Sequence, residues 1–103
     1  MLKKLSNIYE YDAFIKHNSK AIVLFGLSNS NITLRVEMLL NEYITKHPEW
    51  VTSFIDYDEN KILAISNSIR KLPTIDIFID GAFRKRISMV NNYDELETTI
   101  NSI

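Results

Sequence analysis

A proline stands directly before an apolar strand in Ile69-Arg70-Lys71-Leu72-Pro73-Thr74. Isoleucine then occupies every second position at 75, 77 and 79, and Asp80-Gly81 follows. Alternation with a period of two indicates a strand, and an Asp-Gly turn between two such runs indicates a β-hairpin whose second strand is residues 83–89. Asn92, with a glutamate three residues later, then predicts the start of a last helix.

Upstream of this hairpin, apolar strands alternate with helices. Ala21–Phe25 and Val51–Tyr57 are apolar runs of strand length, as in strands covered on both faces. Helices are predicted from Asn7 to Lys16, from Ile32 to the His47-Pro48 stop, and briefly after Asn60. Strands joined through helices pair in parallel, whereas a hairpin is antiparallel. With a short first strand, the prediction is an α/β fold in one domain, residues 1–103: a three-layer α/β/α sandwich around a mixed sheet of about five strands.

Each predicted helix has an apolar face that should cover the sheet. The expected buried residues are Ile32, Val36, Leu39, Leu40, Tyr43 and Ile44 in the long helix, Ile62, Ile65 and Ile69 in the short one, and Tyr93, Leu96, Ile100 and Ile103 in the last.

Asp76 shares its strand face with Phe78. Because a buried carboxylate needs hydrogen-bonding partners, we expect Asp76 near the sheet margin with access to water; a functional acid is the alternative.

Composition excludes several classes of function. The formal net charge of -1 gives no electrostatic basis for binding nucleic acid or an anionic membrane, and Arg84-Lys85-Arg86 is interpreted as the solvated side of the hairpin. No apolar run reaches the roughly 18 residues of a membrane span, so we expect a cytoplasmic protein. The chain has 0 cysteines, which removes thiol chemistry and thiolate metal sites. Neither a cofactor nor a metal is expected.

Over essentially its whole length the sequence resembles the thioredoxin family. The resemblance is carried by Leu24–Thr33, by Ile55–Asn60, and above all by Ile69–Thr74 with Gly81 eight residues after the proline. It implies the thioredoxin fold, with the reactive Cys-x-x-Cys of the family falling on Ser30-Asn31-Ile32-Thr33. It also implies that Pro73 is a cis-proline lying against that turn, and that the backbone before it pairs with an extended segment of a bound partner.

The departures from the family fall at its reactive site. Ser30 and Thr33 replace the two cysteines, Asn29 stands at the usual tryptophan, Leu24 at a common buried acid, and Met89 at a glycine beside the proline. An alcohol needs an adjacent base to become a nucleophile, and His17 and His47 are both predicted at helix ends away from Ser30. We therefore predict no catalytic residue and no thiol-disulfide oxidoreductase activity. Ser28-Asn29-Ser30-Asn31 is interpreted as a helix N-cap with its polar lead-in.

The leading hypothesis is a redox-inactive adaptor that holds an extended segment of another protein beside Pro73. Its candidate binding residues are Asn29, Ser30, Asn31, Ile32, Thr33, Leu72, Pro73 and Met89. One alternative is an enzyme of non-thiol chemistry, with Ser30 as nucleophile or Asp76 as acid. Another is a structural subunit that forms a homodimer through the exposed face around this site.

Overall fold

A computed structural model describes residues 2–103, which form a mixed five-stranded sheet with helices on both faces. The elements in chain order are β1 (Lys3–Lys4), α1 (Ile8–His17), β2 (Lys20–Gly26), α2 (Asn31–Lys46), β3 (Val51–Asp56), α3 (Lys61–Ser66), β4 (Thr74–Ile79), β5 (Ala82–Ile87) and α4 (Tyr93–Asn101). A short 3-10 turn, Tyr57–Glu59, joins β3 to α3. The predicted order of elements is confirmed.

The strands lie side by side in the order β1-β3-β2-β4-β5. The pairs β1–β3 and β3–β2 are parallel, and β2–β4 and β4–β5 are antiparallel. The carboxyl ends of β2 and β3 and the amino end of β4 therefore meet at one edge of the sheet. Gly26, Asp56 and Thr74 mark these ends, and the candidate site lies at this edge.

The core consists of two apolar layers, one on each face of the sheet. Buried side chains of α2 and α4 pack on one face around Ile22, Leu24, Ile75 and Ile77. Those of α1 and α3 pack on the other face around Val23, Phe25, Ile55 and Phe78. The predicted α/β/α sandwich is thus confirmed. Among residues 2–103, no helix has the length and apolar character needed to cross a membrane. The cytoplasmic location stays a prediction.

Helix starts agree with the sequence, because capping is a local signal. The side chains of Asn7 and Asn92 each accept the N–H of the residue three positions on, Glu10 and Glu95, at 2.9 Å. Each bond satisfies one of the amides that the first helical turn leaves without a partner.

Three isoleucines expected in the core are instead exposed. Ile32 is 66% exposed, Ile62 86% and Ile65 62%. Ile32 is the second residue of α2, and the next residue, Thr33, is the buried one. The six-residue α3 turns Leu63 and Ala64 inward, so Ile62 and Ile65 lie on its outer side. Ile103 is also 37% exposed, whereas Ile69 and Ile100 are buried as predicted, although α3 ends at Ser66, before Ile69.

The expected position of Asp76 at a wet sheet margin is wrong, since Asp76 is only 1% exposed. Its carboxylate accepts two hydrogen bonds from Arg86, from Nε at 2.7 Å and from Nη2 at 2.9 Å. Arg86 also donates to the carbonyls of Asn67 and Ser68, just after α3. Arg86 is therefore a structural residue that ties the hairpin to the end of α3, whereas its neighbours Arg84 and Lys85 are exposed.

Candidate functional site

The start of α2 forms the centre of the candidate site. Ser30 is its N-cap, as predicted: the side-chain Oγ accepts the N–H of Thr33 at 3.3 Å, and its carbonyl accepts the N–H of Leu34 at 3.0 Å. The N–H groups of Asn31 and Ile32 have no hydrogen-bond partner within residues 2–103. Both side chains are exposed, so this end of the helix offers two amide donors at the surface.

Thr33 faces inward, unlike the other predicted residues of this turn. It is 5% exposed, and its Oγ1 accepts the N–H of Leu27 at 3.1 Å. The side chain lies directly over Gly26, the last residue of β2. Thr33 therefore holds the loop between β2 and α2 in place.

A second serine in this loop, Ser28, forms a pair that sequence reasoning missed. Its Oγ donates to Oδ2 of Asp56 at 2.6 Å, and Oδ1 of the same carboxylate accepts the N–H of Asp58 at 3.0 Å. Asp56 is buried at the end of β3. No sequence signal links residues 28 and 56, because the parallel pairing of β2 and β3 brings them together.

Neither serine is paired with a histidine that could act as its base. His47 is the C-cap of the 16-residue α2, which is about 24 Å long, so its imidazole lies far from Ser30. His47 is instead bound to Glu97 at 3.0 Å and stacked on Tyr43. Within residues 2–103, no serine is hydrogen-bonded to a histidine, and no three His, Asp or Glu side chains converge to hold a metal ion.

A cleft lies on the β1 and β3 side of this helix start. It has a volume of about 360 Å³, and its walls are Leu2, Lys4, Ser28, Asn29, Ser30, Asn31, Thr33, Leu34, Glu37 and Phe54. Lys4 at its rim pairs with Glu59 at 2.7 Å, and this hydrogen bond raises the pKa of the Lys4 ammonium. The cleft contains four of the predicted site residues. Ile32, Leu72, Pro73 and Met89 do not line it.

Leu72 and Pro73 directly precede β4, and Met89 follows β5, on the other side of β2 from β1 and β3. The Leu72–Pro73 peptide bond is cis. Phe25 pairs with Thr74 in the sheet, and Thr74 Oγ1 lies 3.5 Å from Ser88 Oγ. Extending both registers by one residue places Pro73 between Gly26 and Met89.

We call Ile32, Leu72, Pro73 and Met89 the Pro73 surface. Ile32 and Met89 are 66% and 68% exposed, and Leu72 and Pro73 are half-buried. The N–H and C=O groups of Leu72, which lies outside the strands, make no hydrogen bond within residues 2–103. The surface therefore combines apolar side chains with an unpaired segment of backbone.

Solved structures with this architecture identify the fold. Mitochondrial thioredoxin 3 of Saccharomyces cerevisiae superimposes with a TM-score of 0.87 at 24% identity, over 99% of this chain and 95% of that one. The chain has the thioredoxin fold. Thioredoxins of Plasmodium falciparum (TM-score 0.86, 21% identity, 98% of each chain) and Fasciola hepatica (0.86, 20%, 98% of each chain) share the thioredoxin fold too. At such identities the likeness shows the fold alone. No family model matches the chain, and no curated protein matches it significantly.

The thioredoxin fold here carries no thiol. With 0 cysteines in its 103 residues, the chain cannot form or reduce a disulfide, since both reactions proceed through a cysteine thiolate. At the start of α2, Ser30 is used as a cap and Thr33 as a buried support. Thiol-disulfide chemistry is therefore absent from this site.

Proposed function

We propose that this protein binds an extended segment of another protein at the Pro73 surface and catalyses no reaction on it. The unpaired backbone of Leu72 carries the proposal. Unpaired N–H and C=O groups beside a sheet are the groups with which an extended peptide pairs when it is added as a further strand. Such pairing requires no cysteine.

The side chains around Leu72 support this proposal. Ile32 and Met89 provide exposed apolar side chains, and methionine adapts its shape to different partners. Arg70 and Lys71, which directly precede Leu72, are exposed. Their charge favours a segment that carries acidic residues, because complementary charge speeds association and selects partners.

Binding without catalysis is in keeping with the rest of the site. Ser30 is occupied as a cap, and the hydroxyl of Ser28 is bound to a carboxylate that accepts a further backbone hydrogen bond. Ser30 has no hydrogen-bonded base beside it, and a serine without one stays a protonated alcohol. We therefore assign an adaptor role, in which the partner is held and left chemically unchanged.

The test uses peptides selected from a random display library on the wild-type protein. Leu72→Asp and Met89→Asp each place a carboxylate in the Pro73 surface, and we expect both to weaken binding about tenfold or more, since burying an unpaired charge is unfavourable. Ile62→Asp is the matched control, because Ile62 is 86% exposed on α3. It should retain wild-type affinity.

Amide hydrogen exchange supplies a second readout. Binding should slow exchange at the N–H of Leu72, because that group gains a hydrogen-bond partner. Selected peptides that bind Leu72→Asp and wild type equally, or that leave exchange at Leu72 unchanged, would contradict the proposal. So would turnover of any substrate that is lost in Ser30→Ala, since that result would make the protein an enzyme.

A further inference from the structure

One side of α2 exposes apolar residues that nothing in residues 2–103 covers. Leu34 is 50% exposed and Met38 is 64% exposed, although most apolar residues of this helix face the sheet. They lie with polar neighbours along a shallow depression of about 470 Å³, lined by Asn31, Leu34, Arg35, Met38, Leu39 and Glu42. We call these six residues the outer α2 face.

Two residues of opposite charge flank the apolar centre of this face along the helix. Arg35 and Glu42 are seven residues apart, which is two helical turns or about 10 Å, so they lie on nearly the same line along the helix. Met38 lies between them. Arg35 Nη2 donates to the carbonyl of Asn91 at 2.7 Å, and Glu42 pairs with Lys46 at 3.1 Å. Both charged groups remain exposed, and a guanidinium has further donors to offer.

We propose that a second copy of this chain docks on the outer α2 face, with the two α2 helices antiparallel about a twofold axis beside Met38. In a twofold contact each copy presents the same patch. An antiparallel crossing centred between Arg35 and Glu42 places Arg35 of each copy opposite Glu42 of the other. Two intermolecular ion pairs then flank an apolar centre formed by Met38 and Leu39 of both copies.

The arrangement of charge selects this occupant and this orientation. Along the helix axis this face carries a basic residue, then apolar residues, then an acidic residue. Such a face is complementary to the same face of a second copy only when the two helices run antiparallel. A parallel arrangement brings like charges together and is disfavoured. Ile32 lies six residues before Met38, about 120° away around the helix, so the dimer leaves the Pro73 surface open. The contact is small, and we expect association in the micromolar range.

Charge reversal tests the dimer directly. Sedimentation equilibrium is run at pH 7, from about 10 µM to about 1 mM, a range suited to a small interface. Wild type should associate, and Arg35→Glu and Glu42→Arg should each weaken self-association about tenfold or more, because each places like charges in contact. The double variant should regain wild-type association. An equimolar mixture of the two single variants should form the heterodimer, because opposite charges meet again.

Three results would overturn the dimer: wild type that stays monomeric throughout this range, single variants that associate as wild type does, or a double variant as weak as the singles. Circular dichroism checks that each variant is folded. Arg35→Glu also loses the bond to Asn91, but the double variant loses it too, so recovery in the double variant isolates the intermolecular pair. Leu72→Asp should dimerise normally, which separates this test from that of peptide binding.

Discussion

The side chain of Thr33 occupies the space in which any side chain at Gly26 would have to lie. A Cβ atom at position 26 would be 2.5 Å from Thr33 Cγ2 and 2.7 Å from its Oγ1. Both atoms belong to a buried residue whose hydroxyl accepts the N–H of Leu27. The close approach of the end of β2 to the first turn of α2 therefore depends on glycine.

We predict that Gly26→Ala lowers the free energy of unfolding by about 1–3 kcal/mol, as overpacking of a core does. Urea denaturation measures the change. Thr33→Ala removes both nearest atoms, so Gly26→Ala/Thr33→Ala should lose less stability than the sum of the two single variants. Gly81→Ala is the matched control. It strains a residue with φ +80 but has no atom within 4 Å, so its effect should add to that of Thr33→Ala. Additive losses at Gly26 would contradict the prediction.

Removal of the cation beside Asp76 should lower the free energy of unfolding more than Gly26→Ala does. Arg86→Met leaves a carboxylate that is 1% exposed without its bidentate partner, and we expect a loss of about 3–5 kcal/mol in the free energy of unfolding. Lys85→Met, at an exposed neighbouring position of β5, should change it by less than about 0.5 kcal/mol.

The double variant Asp76→Leu/Arg86→Met distinguishes a buried charge from a lost tether. If the penalty comes from the uncompensated charge, the double variant should recover most of the stability lost in Arg86→Met. If instead it comes from the bonds of Arg86 to the carbonyls of Asn67 and Ser68, the double variant should stay as unstable as the single one.

The features that could be predicted from sequence are the local ones. The asparagine and serine caps, the Asp80-Gly81 turn and the succession of helices and strands along the chain each depend on residues close together in the chain. The burial of Asp76 depends on the register of the hairpin, which pairs it with Arg86 ten residues later across a bulge. No pattern within either strand specifies that bulge, so the compensating charge could not be foreseen.

The candidate site shows the same division between local and long-range information. The capping role of Ser30 follows from its own helix. The pairing of Ser28 with Asp56 depends on contacts between separate strands, and so does the cleft formed with Leu2 and Phe54. Periodicity also misplaced Ile32, because the apolar pattern of α2 runs back to its second residue although that residue is exposed.

The absence of thiol chemistry is open to direct measurement. Wild-type protein should reduce insulin disulfides no faster than a buffer blank, because it has 0 cysteines. In Ser30→Cys/Thr33→Cys we expect an intrachain disulfide after oxidation, seen as loss of thiol titre, since residues three apart in a first helical turn are neighbours. Turnover by wild type would contradict the assignment of this chain as redox-inactive.

Alkaline pH should destabilise the fold through two buried tyrosines. Burial raises the pKa of Tyr11 to about 12, with a further contribution from the charge of Asp76, and burial likewise raises the pKa of Tyr43 to about 12. In the unfolded chain a tyrosine titrates near pH 10, at about its ordinary value. From about pH 10 to 12 the folded state therefore holds protons that the unfolded state releases. The free energy of unfolding should fall with rising pH by up to about 1.4 kcal/mol per pH unit for each tyrosine.

Tyr11→Phe isolates one of these contributions. Urea denaturation at several values between about pH 9 and 12 should show no slope from Tyr11 below about pH 10, and a smaller fall for Tyr11→Phe than for wild type above it. Tyr9→Phe removes the same hydroxyl from an 81% exposed position on the same helix and serves as the control for folding and stability at about pH 9. If Tyr11→Phe and wild type lost stability equally with rising pH, the phenol of Tyr11 would not be the group that folding keeps protonated.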